Sequence, residues 1–110
     1  MKEELPRKEE IKFVVNGQLD KSIRTTKDYW DKIVENKHPT IKGKESEVKK
    51  AIKAPEQIRK SKSDPNVYLY YRALGKHFLC VVAKHLNDEG FIVTSYITDI
   101  IKEGEKIWEK

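Results

Sequence analysis

Val67-Tyr68-Leu69-Tyr70-Tyr71-Arg72-Ala73-Leu74, Phe78-Leu79-Cys80-Val81-Val82-Ala83-Lys84 and Phe91-Ile92-Val93-Thr94-Ser95-Tyr96-Ile97-Thr98 decide the fold of this chain. Each run is rich in aromatic and β-branched side chains, which fit the pleated surface of a strand. Gly75 marks a turn after the first run, and Asn87-Asp88-Glu89-Gly90 a turn after the second. Connections this short join antiparallel neighbours, so the three runs read as a meander. Alternation sorts the side chains of the first run into Val67, Leu69 and Tyr71 against Tyr68, Tyr70 and Arg72. In the third run it sets Phe91, Val93 and Ile97 against Ile92, Thr94, Tyr96 and Thr98. The second set is the more polar one in both strands. A face bearing Tyr68, Tyr70, Arg72, Thr94, Tyr96 and Thr98 would stack bases and grip phosphate. The plainer reading is a cross-strand ladder that only stabilises the sheet.

Upstream of the meander, Gln57 to Ser61 reads as a short strand, followed by a turn at Ser63-Asp64-Pro65-Asn66. Glu45 to Lys53 is helical, with Val48, Ala51 and Ile52 as its narrow apolar face and Pro55 after its end. Before that, Thr25-Thr26-Lys27-Asp28 has the form of a capping box with Thr25 as N-cap. Trp30, Ile33, Val34 and Lys37 follow at helical spacing, and Pro39 stops this helix by disfavouring helical geometry at His38. Ile11 to Ile23 reads as a hairpin turning at Asn16-Gly17. The tail from Ile100 to Lys110 reads as a final helical turn or two, anchored by Ile100, Ile101, Ile107 and Trp108. The expected class is therefore α+β: N-terminal helices packed on one face of a three- to four-stranded antiparallel sheet, with an extra N-terminal β-hairpin. Residues 1–10 are expected to be a flexible N-terminus and 11–110 a single domain.

The 110 residues suffice for one domain, with 37% hydrophobic and 37% charged side chains. No apolar run is long enough to span a bilayer. Met1-Lys2-Glu3-Glu4-Leu5-Pro6 lacks the apolar stretch of a signal peptide. Cys80 is the only cysteine, which excludes an intrachain disulfide. A soluble, cytoplasmic protein without a membrane partner is expected. Residues 42–62 hold Lys42, Lys44, Lys49, Lys50, Lys53, Arg59, Lys60 and Lys62 against Glu45, Glu47 and Glu56, which accounts for the whole net charge of +5. Such a patch attracts polyanions; a solvated helix face with Glu–Lys pairs would have the same composition.

The chain has no P-loop, Rossmann glycine fingerprint or HExxH, and its three histidines are too dispersed for metal-ligand spacing. No metal or other cofactor is expected. His77 and His85 flank the central strand and read as loop-edge residues, and Cys80 as a buried one. His38 differs: it stands at a helix exit, locked by Pro39 and followed by the cationic segment. Histidine alone can accept and donate a proton near neutral pH without perturbation. RNA hydrolysis without a metal needs a base for the 2′-OH, an acid for the leaving 5′ oxygen and cations for the phosphorane. His38, one of Arg72, Arg59 or Lys62, and the hydroxyls of Thr94, Ser95 and Tyr96 could fill these parts.

An ordered series of short motifs goes further. It runs Lys37-His38-Pro39, Ala51-Ile52-Lys53-Ala54-Pro55-Glu56-Gln57-Ile58-Arg59-Lys60-Ser61, Tyr70-Tyr71-Arg72, the Phe78–Ala83 strand, Thr94-Ser95-Tyr96 and Lys102-Glu103-Gly104-Glu105-Lys106-Ile107-Trp108. Over residues 27–110 this order resembles the phage-associated nucleases of the barnase–EndoU–colicin–RelE superfamily. The resemblance implies a metal-independent endoribonuclease, a hydrolase of toxin–antitoxin or phage-conflict type, with its site on the exposed sheet face. It implies RNA as substrate and a cognate antitoxin or immunity protein as a further partner. Carried over, His38 is the general base or acid, Arg72 and Arg59 hold phosphate, and Thr94 and Tyr96 supply the hydroxyls. Lys49, Lys50, Lys53, Lys62, Tyr68 and Tyr70 complete the expected RNA-binding surface. The alternative is a non-catalytic RNA-, DNA- or partner-binding module on the same fold.

Overall fold

The structure is a computed structural model describing residues 11–101 and 103–110. The expected flexible segment at residues 1–10 lies outside the described residues. The described residues form seven strands and two short helices: β1 (Ile11–Asn16), β2 (Ser22–Thr26), α1 (Lys27–Lys32), α2 (Glu45–Lys53), β3 (Gln57–Lys60), β4 (Val67–Leu74), β5 (His77–Leu86), β6 (Glu89–Thr98) and β7 (Glu105–Glu109). The strands form one sheet in the order β1-β2-β6-β5-β4-β3-β7. Every pairing is antiparallel except β2 with β6, which is parallel.

This corrects the expected class. The protein is a seven-stranded mixed sheet with two short helices, not helices packed on a three- to four-stranded antiparallel sheet. Two segments make the difference. The hairpin β1–β2 is not an appendage, because Ser22, Ile23 and Arg24 pair with Glu89, Gly90 and Phe91 of β6. The tail is a strand, not a helical turn: β7 pairs with β3, setting Trp108 beside Ile58 on the core side while Ile107 is exposed. A five-residue stretch is too short for its apolar spacing to distinguish helix from strand. Ile100, expected to anchor the tail, is also exposed.

Gly90 fits the close approach of the β5 backbone on one side and of Ile23 on the other. A Cβ at this position would lie 2.5 Å from the Lys84 carbonyl oxygen and 3.1 Å from Ile23 Cδ1. Ile23 is fully buried against this bare backbone. After only three paired residues β2 turns into α1. Thr26, one residue beyond the expected cap, accepts a hydrogen bond from the Tyr29 N–H at 3.0 Å, while Thr25 stays in the strand and is buried. A π-helical turn, Ile33–Lys37, extends α1, and the His38 N–H closes it on the Ile33 carbonyl at 2.7 Å. His38 then leaves helical geometry (φ −141°, ψ 81°) ahead of Pro39. A 3₁₀ turn at Pro39–Ile41 buries Ile41.

Both helical segments cover one face of the sheet, called here the first. Trp30, Ile33, Val34, Ile41, Val48, Ala51 and Ile52 pack there on Phe13, Val15, Ile23, Ile58, Tyr70, Leu79, Val81, Ala83 and Ile92. The second face carries a smaller cluster of Leu69, Tyr71 and Cys80, supported by Phe78, Val82, Tyr96 and Ile101, with no helix over it. A β-bulge in β6 decides which residues reach that face. Ala83 pairs with Ile92 but Val82 with Thr94, so Val93 is an extra residue. Simple alternation groups Ile92 with Thr94, Tyr96 and Thr98. The bulge instead puts Ile92 in the main core and the other three on the second face.

His85 lies inside β5 rather than at a loop edge, and it is buried. Its Nε2 is 2.9 Å from the Tyr70 hydroxyl, and its ring stacks on Tyr68 with centroids 4.0 Å apart. Burial, helped by the Lys21 charge, lowers its pKa to about 4.

Two outcomes test this packing. Gly90→Ala should lower stability by about 1–3 kcal/mol, the usual cost of overpacking a tight site, read as a lower urea midpoint. His85 binds fewer protons folded than unfolded between its unperturbed value of 6.5 and about 4. Its contribution is therefore whole above pH 6.5 and is lost as pH falls toward 4. Urea titrations at pH 7 and pH 5 should show that loss in the wild type and less of it in His85→Gln; equal losses would mean His85 titrates freely.

Candidate functional site

Tyr71 of β4, Cys80 of β5 and Tyr96 of β6 are register partners and form one row across the second face. The next row is Leu69, Val82 and Thr94. Burial pushes the Cys80 thiol up to about 12, against the opposing effect of hydrogen bonds from Tyr96 and Tyr71. Burial and then the neighbouring Cys80 push the Tyr96 phenol well above its ordinary value. Tyr96 is thus a weaker acid than a free phenol and serves as a hydrogen-bond donor rather than a base. Tyr71 is likewise raised, chiefly by burial.

His38 reaches this row from the helix exit. Its ring centroid is 5.6 Å from that of Tyr96, with the planes tilted 39°, and its side chain is half-buried. Thr94 Oγ1 is buried without a hydrogen-bond partner. An orphaned buried hydroxyl is uncommon in folded proteins and demands a reason. The expected trio of His38, Thr94 and Tyr96 is thus in part brought together: Thr94 and Tyr96 share a face, and His38 stacks at the margin.

Next to Tyr96 opens a cavity of about 370 Å³, lined by Ser61, Lys62, Ser63, Val67, Leu69, Val82, Tyr96, Glu103 and Gly104. Both of its polar walls are pinned. Ser63 N–H donates to Ser61 Oγ at 3.2 Å, and Asn66 N–H to Asp64 Oδ1 at 2.9 Å, which shapes the 61–66 turn. Beside this turn, Arg59 donates from Nε to the Glu103 carbonyl at 2.7 Å and from Nη2 to the Gly104 carbonyl at 2.9 Å. Gly104 has φ +80°, and a Cβ there would lie 2.6 Å from the Lys60 carbonyl oxygen. Only glycine fits that close approach.

Other expected site residues fall elsewhere. Arg72 lies on the first face with its register partners Leu79 and Ile97. Its Nη1 donates to the Ala54 carbonyl, at the C-cap of α2, so Arg72 finishes a helix and does not face Thr94 and Tyr96. Arg59 does stand by the cavity, but its fork is taken up by two carbonyls and Gln57 Oε1. It positions a wall instead of offering itself to phosphate. Tyr70 is fully buried in the main core and Tyr68 is packed on His85, so neither presents a free ring on the second face. Lys49, Lys50 and Lys53 ride on α2 over the first face. Lys49 pairs with Glu45 and sits 5.0 Å from the Phe13 ring centroid. Lys62 alone of the expected cations lines the cavity.

The sequence reading passed over Ser61, Ser63 and Glu103 as site residues. Glu103 stood in a stretch read as helix, Ser61 at the end of a short strand and Ser63 in a generic turn. His77, at the start of β5, pairs with Asp99 at 2.6 Å in an exposed position. Among the described residues no group of three His, Cys, Asp or Glu side chains converges as a metal site would require, and no helix is long and apolar enough to cross a membrane. No protein-family model, curated protein or solved structure matches the chain.

Proposed function

We propose that this protein is a metal-independent endoribonuclease that works on the second face of its sheet. The observation that supports this best is the His38 ring packed beside the Tyr96 phenol, next to a polar-walled cavity. A base and a proton donor side by side suit the two proton transfers of phosphodiester transesterification. His38 takes the proton of a ribose 2′-OH, and the 2′ oxygen bonds to phosphorus. The bond from phosphorus to the 5′ oxygen breaks, and that oxygen takes a proton from Tyr96. The products are a 2′,3′-cyclic phosphate and a free 5′-hydroxyl. Lys62 supplies positive charge at the cavity. Such an enzyme acts on cytoplasmic RNA, and a cell that makes it needs a protein that blocks it, an antitoxin or immunity protein.

Bulk RNA incubated with the protein in EDTA should yield fragments ending in 2′,3′-cyclic phosphate. His38→Ala should lower the rate by about 10²–10⁴, the usual worth of a general acid–base group, while thermal unfolding changes little. Tyr96→Phe keeps the ring and should lower the rate per folded molecule. RNA binding without any cleavage would instead mark a binding module.

The placement of the cations gives a separate outcome. Lys62→Gln should flatten the slope of log K against log salt by about 0.7, the effect of one lost phosphate contact on a single strand. Replacing Lys49, Lys50 and Lys53 together should leave that slope nearly unchanged, because α2 lies on the opposite face. Filter binding across a salt series separates the two.

A further inference from the structure

We propose that the outer edge of β1 is a self-association surface, through which two copies of the chain pair β1 with β1 in antiparallel and join their sheets. The inference stands apart from the RNA-cleaving reading. β1 ends the sheet, and among the described residues no strand lies on its outer side. The Gly17 N–H donates to the Lys21 carbonyl at 2.8 Å. Hydrogen-bonded pairs recur at every second residue of an antiparallel ladder, so Val15 and Phe13 turn their amide and carbonyl groups toward Ile23 and Thr25. Val14 and Asn16 therefore turn theirs outward, away from β2. A row of outward groups is a template for a further strand.

The two edges of the sheet are guarded unequally. At the far edge, β7 holds Glu105, Lys106 and Glu109 among five residues, and Lys106 pairs with Glu109 at 2.9 Å. Charges at this density oppose strand addition. β1 carries one charge, Lys12, in six residues. That charge is drawn away from the edge: a register shift falls at Lys12, and its ammonium lies 3.4 Å from the Glu45 carboxylate of α2. Phe13, Val14, Val15 and Asn16 remain as a neutral edge, with Val14 51% exposed.

The occupant that matches this edge is β1 of a second copy. A two-fold axis through Val14 sets Val14 of one copy against Val14 of the other, and Phe13 of each against Val15 of the other. Every pair then shares a side of the joined sheet, as the alternation of strand side chains requires. The two Val14 residues exchange backbone hydrogen bonds and cover each other's side chains, flanked by aromatic–β-branched pairs. Lys12 comes opposite Asn16, so no charge opposes a charge. A charged segment would find no countercharge along Phe13–Asn16, and β7 of a second copy would set its own charges against Val14. A β1–β7 contact would also be open-ended, whereas β1–β1 closes at two copies. The axis stands perpendicular to the sheet, so both second faces, each with its His38 and Tyr96, open on the same side.

Sedimentation equilibrium of the full chain, from micromolar to millimolar concentration, tests this. One strand per copy is a small interface, so association should be reversible. The mass should rise from one copy to two and stop there. Each copy has a net charge of +5, so screening by salt should move the rise to lower concentration. Val14→Lys opposes two ammonium groups at the axis and should abolish the rise; Val14 is exposed, so circular dichroism should not change. A covalent arm compares Val14→Cys with Ile107→Cys, which is exposed on β7, each treated with oxidised glutathione. Opposed Cα atoms of a hydrogen-bonded pair lie about 5.5 Å apart, within reach of a disulfide, and Cys80 is buried and does not compete. Val14→Cys should yield a linked dimer and Ile107→Cys should not. A wild type that stays monomeric, a Val14→Lys variant that dimerises as well as the wild type, growth beyond two copies, or equal linking at the two edges would overturn the proposal.

Discussion

Ile23 packed on the bare backbone of Gly90 is the contact from which the arrangement of the second face follows. With no Cβ at Gly90, the β5 backbone approaches closely and Ile23 of β2 fills the first-face core beside it. The pairing covers only the start of β6. Thr26 then caps α1, and the chain leaves the sheet plane. Among the described residues, the rest of β6, from Ile92 onward, has no strand on that side and is flanked by the π-helical turn and the 3₁₀ turn. Those turns deliver His38 to Tyr96.

The two faces of the sheet have divided their work. The first is closed by helices and holds the larger core, including Tyr70, His85 and the helix-finishing Arg72. The second is closed only in part, by Ile101 and the loop pinned at Glu103 and Gly104. Polar groups gather there because the bulge at Val93 turns Thr94, Tyr96 and Thr98 toward it while leaving Ile92 in the core. Bulges commonly re-aim side chains beside functional sites. Here the result is a buried hydroxyl without a partner, a phenol less acidic than a free one and an adjacent imidazole. The same loop that buries Leu69 also forms a wall of the cavity, so stability and site geometry share the Arg59 clamp.

Much of this was legible in the chain. The meander β4–β5–β6, the turns at Gly75 and after Leu86, the bounds of α2 and the helix stop before His38 all follow from local rules. Alternation, proline and capping preferences act over a few residues and do not depend on what lies across the sheet. The same local signals located His38, Thr94, Tyr96 and Lys62 as residues worth attention. Cys80 read as buried for the same reason: it stands within an apolar strand.

Tertiary structure decided the rest, because each remaining question concerned partners distant in sequence. Whether the hairpin joins the sheet depends on the start of β6, some 70 residues from β1. Whether residues 105–109 form a helix or a strand depends on a free edge at β3. Which tyrosine shares a row with Tyr96 depends on register through β5, and that register selects Tyr71 rather than Tyr70. One extra residue, Val93, reverses the facing of half a strand without changing its composition. The cations of α2 looked continuous with Lys62 along the chain, yet the sheet lies between them. The sequence by itself determined the β4–β5–β6 meander and which side chains could do chemistry. Only the fold determined which of them meet, since side-chain direction in a sheet alternates residue by residue and a single bulge or cap shift inverts it.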